Sequence, residues 1–277
     1  VDIIISYAPV LSDAQMTDLD IPTLEFDWVE FKQHCVSSAL NRDDTLYRGQ
    51  ADSSWGLRPS YNRYASDPSI DKYFDETLPS TVRHVAVHLE EQFDLSNNNQ
   101  RNHLLSLLQH HGFPTPLLDW TRSPFIAAYF AMIEHVFREP ENEWATVWVF
   151  GADFTSKYLA ENEIEVPFEV IDPDVRYNQR VVAQDGMFTL SKTDEDLDAP
   201  IARAMDDLEH PGLLQKWNIR TMMARIAIRE LHLYGIHPSM LFPGLDGVCQ
   251  SMKIKHFVPA KRQLDREKRE YIEKLVE

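Results

Sequence analysis

Apolar positions in this chain fall into two rhythms, a spacing of three and four and short unbroken runs, and their interleaving predicts an architecture that mixes helices with sheet. The first helix is expected around Leu24 to Leu40, where Phe31, Cys35 and Ala39 recur every four residues. Thr45-Leu46-Tyr47-Arg48-Gly49-Gln50 reads as a strand running into a polar loop with Trp55. A second helix places Val82, Val85, Leu89 and Phe93 on one face, and Asn97-Asn98-Asn99 forms the loop before a third. That third helix ends in Leu104, Leu105, Leu107 and Leu108, and Gly112 can terminate it by taking the left-handed conformation. Leu117-Leu118-Asp119-Trp120-Thr121 reads as a strand, and Ser123-Pro124 as the cap and first residue of the next helix. Phe125, Ala128, Tyr129, Met132, Ile133 and Val136 give that helix small residues for close approach to a sheet. Val147-Trp148-Val149-Phe150 is a buried-strand pattern.

Farther along, Arg180 to Gln184 and Met187 to Leu190 flank Asp185-Gly186, a dipeptide favoured in tight turns, so a hairpin is expected there. Met223, Ile226, Leu231 and Tyr234 mark a helix from Thr221 that Gly235 can end, and Lys261 to Glu277 reads as a charged helix with a thin apolar seam. No repeat or linker divides the chain, which points to one α+β domain with helical additions.

The stretch from Gln109 to Pro124 concentrates polar chemistry in an apolar setting. Asp119 is carried into the expected interior, and a buried carboxylate must be paired or hydrogen-bonded. His110 and His111 end a helix, where imidazolium is favoured by the dipole; capping and catalysis both remain open for them. His84 and His88 stand four apart as zinc ligands can, but Val85 occupies the place of the metalloprotease glutamate, so no metal is expected.

Composition narrows the class. The chain has 277 residues, 43% hydrophobic and 26% charged, long enough for a substantial core. Twenty-seven basic against 44 acidic residues leave a net charge of −17, which disfavours broad attraction to nucleic acid. Much of the acid lies at Glu161 to Glu169 and at Asp194-Glu195-Asp196 with Asp198, the latter expected to be a solvated loop. The apolar runs are too short for a membrane span, and the start resembles no signal peptide. With Cys35 and Cys249 as the two cysteines, reduced thiols and a cytoplasmic location are expected. None of the nine glycines builds a dinucleotide turn, a P-loop or a nucleophile elbow.

Tyr47-Arg48-Gly49-Gln50, Trp55-Gly56-Leu57-Arg58-Pro59, and His111-Gly112-Phe113-Pro114-Thr115 followed by Leu117 to Pro124 together resemble the FRG domain, a family named for its aromatic-Arg-Gly motif. Ala183-Gln184-Asp185-Gly186-Met187-Phe188 is similar to its later Gln-x-Gly-x-Phe element, and Gly235-Ile236 with Leu241 to Gly247 to its closing segment. The resemblance runs from residue 43 to 255, leaving 1–42 as a helical lead segment and 256–277 as the charged terminal helix. Pro116 departs from the pattern, which often has a basic residue there.

FRG domains occur in bacteria and their viruses, and the order of their motifs is distantly similar to that of ADP-ribosyltransferases. The resemblance therefore implies a central mixed or antiparallel split sheet of that type, packed by several helices. It implies an enzyme that uses NAD as a substrate, moving ADP-ribose to a macromolecule or hydrolysing the dinucleotide. Cofactor contacts would come from Arg48, Gly49, Gln50, Thr121, Ser123 and His111; Arg48, Gln184 and Asp119 would be catalytic, with Asp185 a lesser candidate for the carboxylate. A carboxylate matters because loss of nicotinamide leaves positive charge on the sugar, which an amide such as Gln184 cannot neutralise. Arg48 suits phosphate because its planar fork grips two oxygens.

Simpler roles stand beside these. Arg48 could pair structurally with Asp119, Trp55 and Trp120 could be packing rather than a nicotinamide sandwich, and Gly49 and Gly112 could be backbone requirements. Two functions of other kinds follow: a non-catalytic nucleotide- or protein-binding module in a phage-defence or toxin system, and a component whose acidic surface docks a basic partner.

Overall fold

Seven strands organise the computed structural model, which describes residues 21–39, 45–89, 92–137, 141–151, 166–173, 179–207 and 214–258. They are β1 Thr23–Phe26, β2 Thr45–Gln50, β3 Leu117–Thr121, β4 Trp144–Gly151, β5 Phe168–Ile171, β6 Gly186–Ser191 and β7 Leu214–Arg220. Their order across the sheet is β1-β7-β4-β2-β3-β6-β5, with β1 parallel to β7 and every other pair antiparallel. The helices are α1 Trp28–Ala39, α2 Ser60–Tyr64, α3 Ile70–Lys72, α4 Leu78–Val85, α5 Asn98–His110, α6 Pro124–Met132, α7 Gln179–Ala183, α8 Asp198–Asp207, α9 Ala224–Leu233, α10 Pro238–Leu241 and α11 Leu245–Phe257. The protein is thus α+β around a mixed sheet. Among the described residues no helix is long and apolar enough to cross a membrane.

Local chemistry sets several boundaries. The first helix begins at Trp28 rather than near Leu24, because Asp27 accepts from the amides of Val29 and Glu30 while Glu30 bonds back to the Asp27 amide, a reciprocal cap. Leu24 instead lies in β1, so part of the lead segment is built into the sheet. Ser123 accepts from the Ile126 amide and Pro124 opens α6, as their types dictate. Gly112 takes φ 81° just past α5. Val82, Val85, Leu89 and Phe93 do share an apolar cluster, although α4 stops at Val85 and a single tighter turn carries the chain to His88.

The hairpin expected around Asp185-Gly186 is not formed. Its first arm is α7, whose end is fixed by bonds from the Gln184 amide to the Arg180 carbonyl and from the Asp185 amide to the Val182 carbonyl. Asp185 adopts φ 46°, the left-handed residue that ends a helix, and Gly186 starts β6. The acidic run 194–198 is also more than a solvated loop. Asp198 accepts from the Leu57 amide, Asp194 from that of Ile70, and Asp196 lies 3.6 Å from Arg58, which tie this segment to residues 57–70. The expected helix 261–277 and the acidic stretch 161–165 lie outside the described residues.

Three apolar clusters hold the layers together. On one face of the sheet, α1, α6 and α9 bury Phe31, Ala127, Ala131 and Ala227 against Tyr47, Val147 and Trp217. α5 and α7 cover β3 and β6 through Leu104, Leu108, Val181, Leu117 and Phe188. The opposite face buries Leu46, Trp120, Trp148 and Phe150 with Leu57, Leu197 and Ile201. Alanines on the sheet side of α6 let it approach so closely that Gly49, beneath it, has no room for a side chain.

Candidate functional site

The β2–β3 junction is the weakest seam of the sheet. β2 pairs with β4 along its whole length, from Thr45 to Gln50, but with β3 only where Tyr47 faces Thr121. Beyond that point the strands separate, and a cleft of about 380 Å³ opens between them, a volume in the range of small-molecule sites. One wall is Phe130 of α6 and Glu134 just after it; the other is Ser106, Gln109 and His110 of α5 with Arg180 and Gln184 of α7 and the turn beyond it.

Arg48 spans the gap. Its Nη1 donates to the Asp119 carbonyl at 2.8 Å, taking the place of the ladder bond that the separated backbones no longer make. The Asp119 carboxylate is 3.8 Å from the same nitrogen, while Arg48 Nε is buried with no hydrogen-bond partner among the described residues. Burial lowers the Arg48 pKa; Asp119 opposes that shift and the charge of Arg63 adds to it. An arginine stays cationic under such pressure, so a poorly solvated positive charge lies at the cleft.

Asp119 is not the interior carboxylate expected from its strand. Its side chain is 63% exposed, because the separation of β2 from β3 turns this face of β3 to the cleft rather than to packed hydrocarbon. Gln109 Nε2 donates to Asp119 Oδ1 at 2.8 Å, and Gln109 in turn accepts from Thr115, whose amide is held by Ser60. The pairing of Arg48 with Asp119 therefore runs chiefly through the peptide carbonyl.

Gly49, Gln50, Thr121 and Gln184 line the same cleft. Much of their polarity is already used. Gln50 accepts from the Trp148 indole at 2.8 Å and donates to the Gly56 carbonyl at 3.1 Å. The Thr121 hydroxyl donates to the Gln184 carbonyl at 2.6 Å and accepts from the Ser123 amide, and Gln184 Nε2 donates to the Leu241 carbonyl. These bonds lash β3, α7 and α10 into one rim. Ser123 and His111 are not among the cleft residues; Ser123 caps α6, and His111 caps α5 on the exposed surface. Asp185, outside the lining, sits 3.5 Å from Arg122. Trp120 is packed, with its indole donating to Thr189, whereas Trp55 is half exposed on the rim.

The structure adds groups that the sequence reading missed. Arg63 and Arg180 bring the cleft to three arginines in a chain of strongly negative net charge. The Arg180 guanidinium lies 4.4 Å from the centroid of the Phe242 ring, which holds it at the rim. His110 lines the cleft where His111 does not; burial, then the charges of Arg180 and His111, lower its pKa against the pull of Asp246, favouring neutral imidazole. Glu134 supplies a second cleft carboxylate. Two signals could have found it: it is the first charged residue after Arg122, and it lies four residues beyond Phe130. The set suits an anionic ligand gripped by guanidinium groups, with carboxylates and aromatic surface beside it.

Residues 43–139 match the family model of the FRG domain. That span starts at the boundary read from the sequence and takes in β2, β3, α6 and Glu134; α7 and Gln184 lie beyond it. No curated protein and no solved structure shows a significant match to the chain.

Proposed function

We propose, from the premise that residues 43–139 form an FRG domain, that the β2–β3 cleft binds NAD and cleaves its nicotinamide–ribose bond, passing ADP-ribose to a macromolecule or to water. The observation that carries this reading is the meeting of Arg48, Asp119 and Gln184, distant in sequence, in one cleft with two further arginines and Glu134. Arg48, Arg63 and Arg180 suit a pyrophosphate, which presents the oxygen geometry a guanidinium fork prefers. Trp55 and Phe130 offer flat surface to a base or nicotinamide.

In the chemical step the bond from the ribose anomeric carbon to the pyridinium nitrogen breaks, and its electron pair neutralises the departing nicotinamide. The sugar is left as a cation, and the nucleophile that closes on it gives up a proton. A carboxylate beside the sugar lowers that barrier by stabilising the developing positive charge. Asp119 is engaged by Gln109 and lies near Arg48, so Glu134 is the carboxylate assigned to the task. His110, kept neutral, is suited to accept the proton of the nucleophile.

Incubation of the full chain with NAD labelled in the nicotinamide ring tests this. Release of labelled nicotinamide, lost in Glu134→Gln, is expected. Absence of release together with no thermal shift on adding NAD or ADP-ribose refutes the proposal. Binding without release would instead favour a nucleotide-binding module without catalysis.

A further inference from the structure

Asp119 has no part in the chemical step assigned to Glu134, yet a relay of hydrogen bonds fixes its carboxylate at the cleft. The relay begins at Thr115, which is fully buried and exchanges bonds with Ser60. The Thr115 amide donates to the Ser60 hydroxyl oxygen at 3.0 Å, and that hydroxyl donates to the Thr115 carbonyl at 3.1 Å. The Leu117 amide donates to Thr115 Oγ1, which leaves the hydroxyl proton for Gln109 Oε1. With its oxygen taken, Gln109 presents its amide nitrogen to Asp119 Oδ1 at 2.8 Å. Each member sets the direction of the next, and the last is a well-exposed carboxylate that lines the cleft.

The other oxygen of that carboxylate stops 3.8 Å from Arg48 Nη1. This is too long for a hydrogen bond, and Nη1 is already engaged by the Asp119 carbonyl at 2.8 Å. The two charges still act on each other, since Asp119 works to raise the Arg48 pKa against the effect of burial. Arg48 is the one ion-pair partner of Asp119 among the described residues.

An anion that docks on Arg48 therefore meets a pinned carboxylate at close range. The span of a space of about 380 Å³ is comparable with the screening length of roughly 8 Å at physiological salt, so Asp119 acts on the charge of the whole ligand. A ligand that carries a cation beside its phosphates is repelled least.

We propose that Asp119 determines specificity by charge: it makes the cleft hold a dinucleotide that bears a pyridinium cation in preference to NADH, whose ring is neutral, and to ADP-ribose, which has no ring there. This role rests on the NAD reading. It also gives the carboxylate a part in turnover. Once nicotinamide has left with the bonding electron pair and water has replaced it on the sugar, the pyrophosphate charge is no longer offset, and Asp119 favours release of the product.

Calorimetric titration of the full chain with carba-NAD, NADH and ADP-ribose tests it. Carba-NAD keeps the pyridinium and resists cleavage, and NADH differs from it chiefly in lacking that charge. The parent should bind carba-NAD about threefold or more tighter than either of the others, and added salt should narrow the preference. Asp119→Asn, checked by its melting curve, keeps an oxygen for the Gln109 amide; in it ADP-ribose and NADH should tighten, and the preference should fall about threefold or more. A merely structural role would weaken all three ligands together and leave their ratio unmoved. A preference that survives Asp119→Asn, that salt leaves unchanged, or that the parent does not show overturns the role of Asp119 and spares the nucleotide cleft. Binding of none of the three overturns it together with the NAD reading.

Discussion

Replacing Gly49 with alanine drives a methyl group into the backbone of α6. A Cβ built on Gly49 lies 1.8 Å from the Ala127 carbonyl oxygen, 2.7 Å from the Ala131 amide nitrogen and 2.8 Å from the Ala127 carbonyl carbon. None of these belongs to a side chain that can rotate away. Restoring a carbon–oxygen approach of about 3.3 Å requires the helix to withdraw by about 1.5 Å. That movement opens the layer in which Ala127 and Ala131 meet Tyr47 and Val147. Overpacking of cores costs about 1–3 kcal/mol, and a clash with rigid backbone belongs at the upper end, about 3 kcal/mol. At about 2–4 °C per kcal/mol for a domain of comparable size, the melting temperature should fall by about 6–12 °C. Gly112→Ala is the matched control: its φ is 81° and no atom lies within 4 Å of an added Cβ, so only backbone strain of about 1–2 kcal/mol applies. Differential scanning calorimetry on both variants reads the contrast. Because α6 carries Phe130 and leads into Glu134, ADP-ribose affinity should fall in Gly49→Ala as well. A Gly49→Ala protein that melts within about 2 °C of the parent would refute the argument that α6 rests on a bare backbone there.

Three further outcomes follow from the cleft. Arg48→Lys keeps the charge but loses the fork that reaches Asp119, and should weaken ADP-ribose about tenfold by calorimetry; unchanged affinity would remove Arg48 from the ligand. Glu134→Gln should lower nicotinamide release about 100-fold with ADP-ribose binding retained, and undiminished release would shift the task to another carboxylate. His110 has a folded pKa below its ordinary 6.5, so it contributes nothing to stability well above that pH and costs stability as the pH falls through 6.5, where the unfolded chain takes the proton first. His110→Gln should therefore lose less stability than the parent between pH 7 and pH 5 in denaturant titrations, and equal loss would contradict the assignment.

What could be read in advance was whatever depends on neighbours in sequence. Ser123, Pro124 and Gly112 announce helix ends by their own backbone chemistry, and the short strand-like segments 45–50 and 117–121 are strands in the structure. Asp185-Gly186 misled because a left-handed residue before glycine serves a helix end as well as a hairpin, and only the bonds of 184 and 185 back to 180 and 182 decide between them. The alternation of Thr23–Phe26 spans only four residues directly before a helical spacing that masks it, and β1 gains its place from pairing with β7. Asp119 reads as interior because its strand is apolar; its exposure follows from the parting of β2 and β3, a property of the whole sheet. Arg63 and Arg180 reach the cleft from two separate elements, and nothing in their local sequence records that meeting.

The most direct test of the account is where ADP-ribose sits in a crystal of its complex with this protein. Its pyrophosphate is expected against Arg48 and Arg180 between β2 and β3, with the ribose that carried nicotinamide beside Glu134. Density for the ligand elsewhere on the molecule, or crystals that take up none at saturating concentration with the cleft open to solvent, would contradict it.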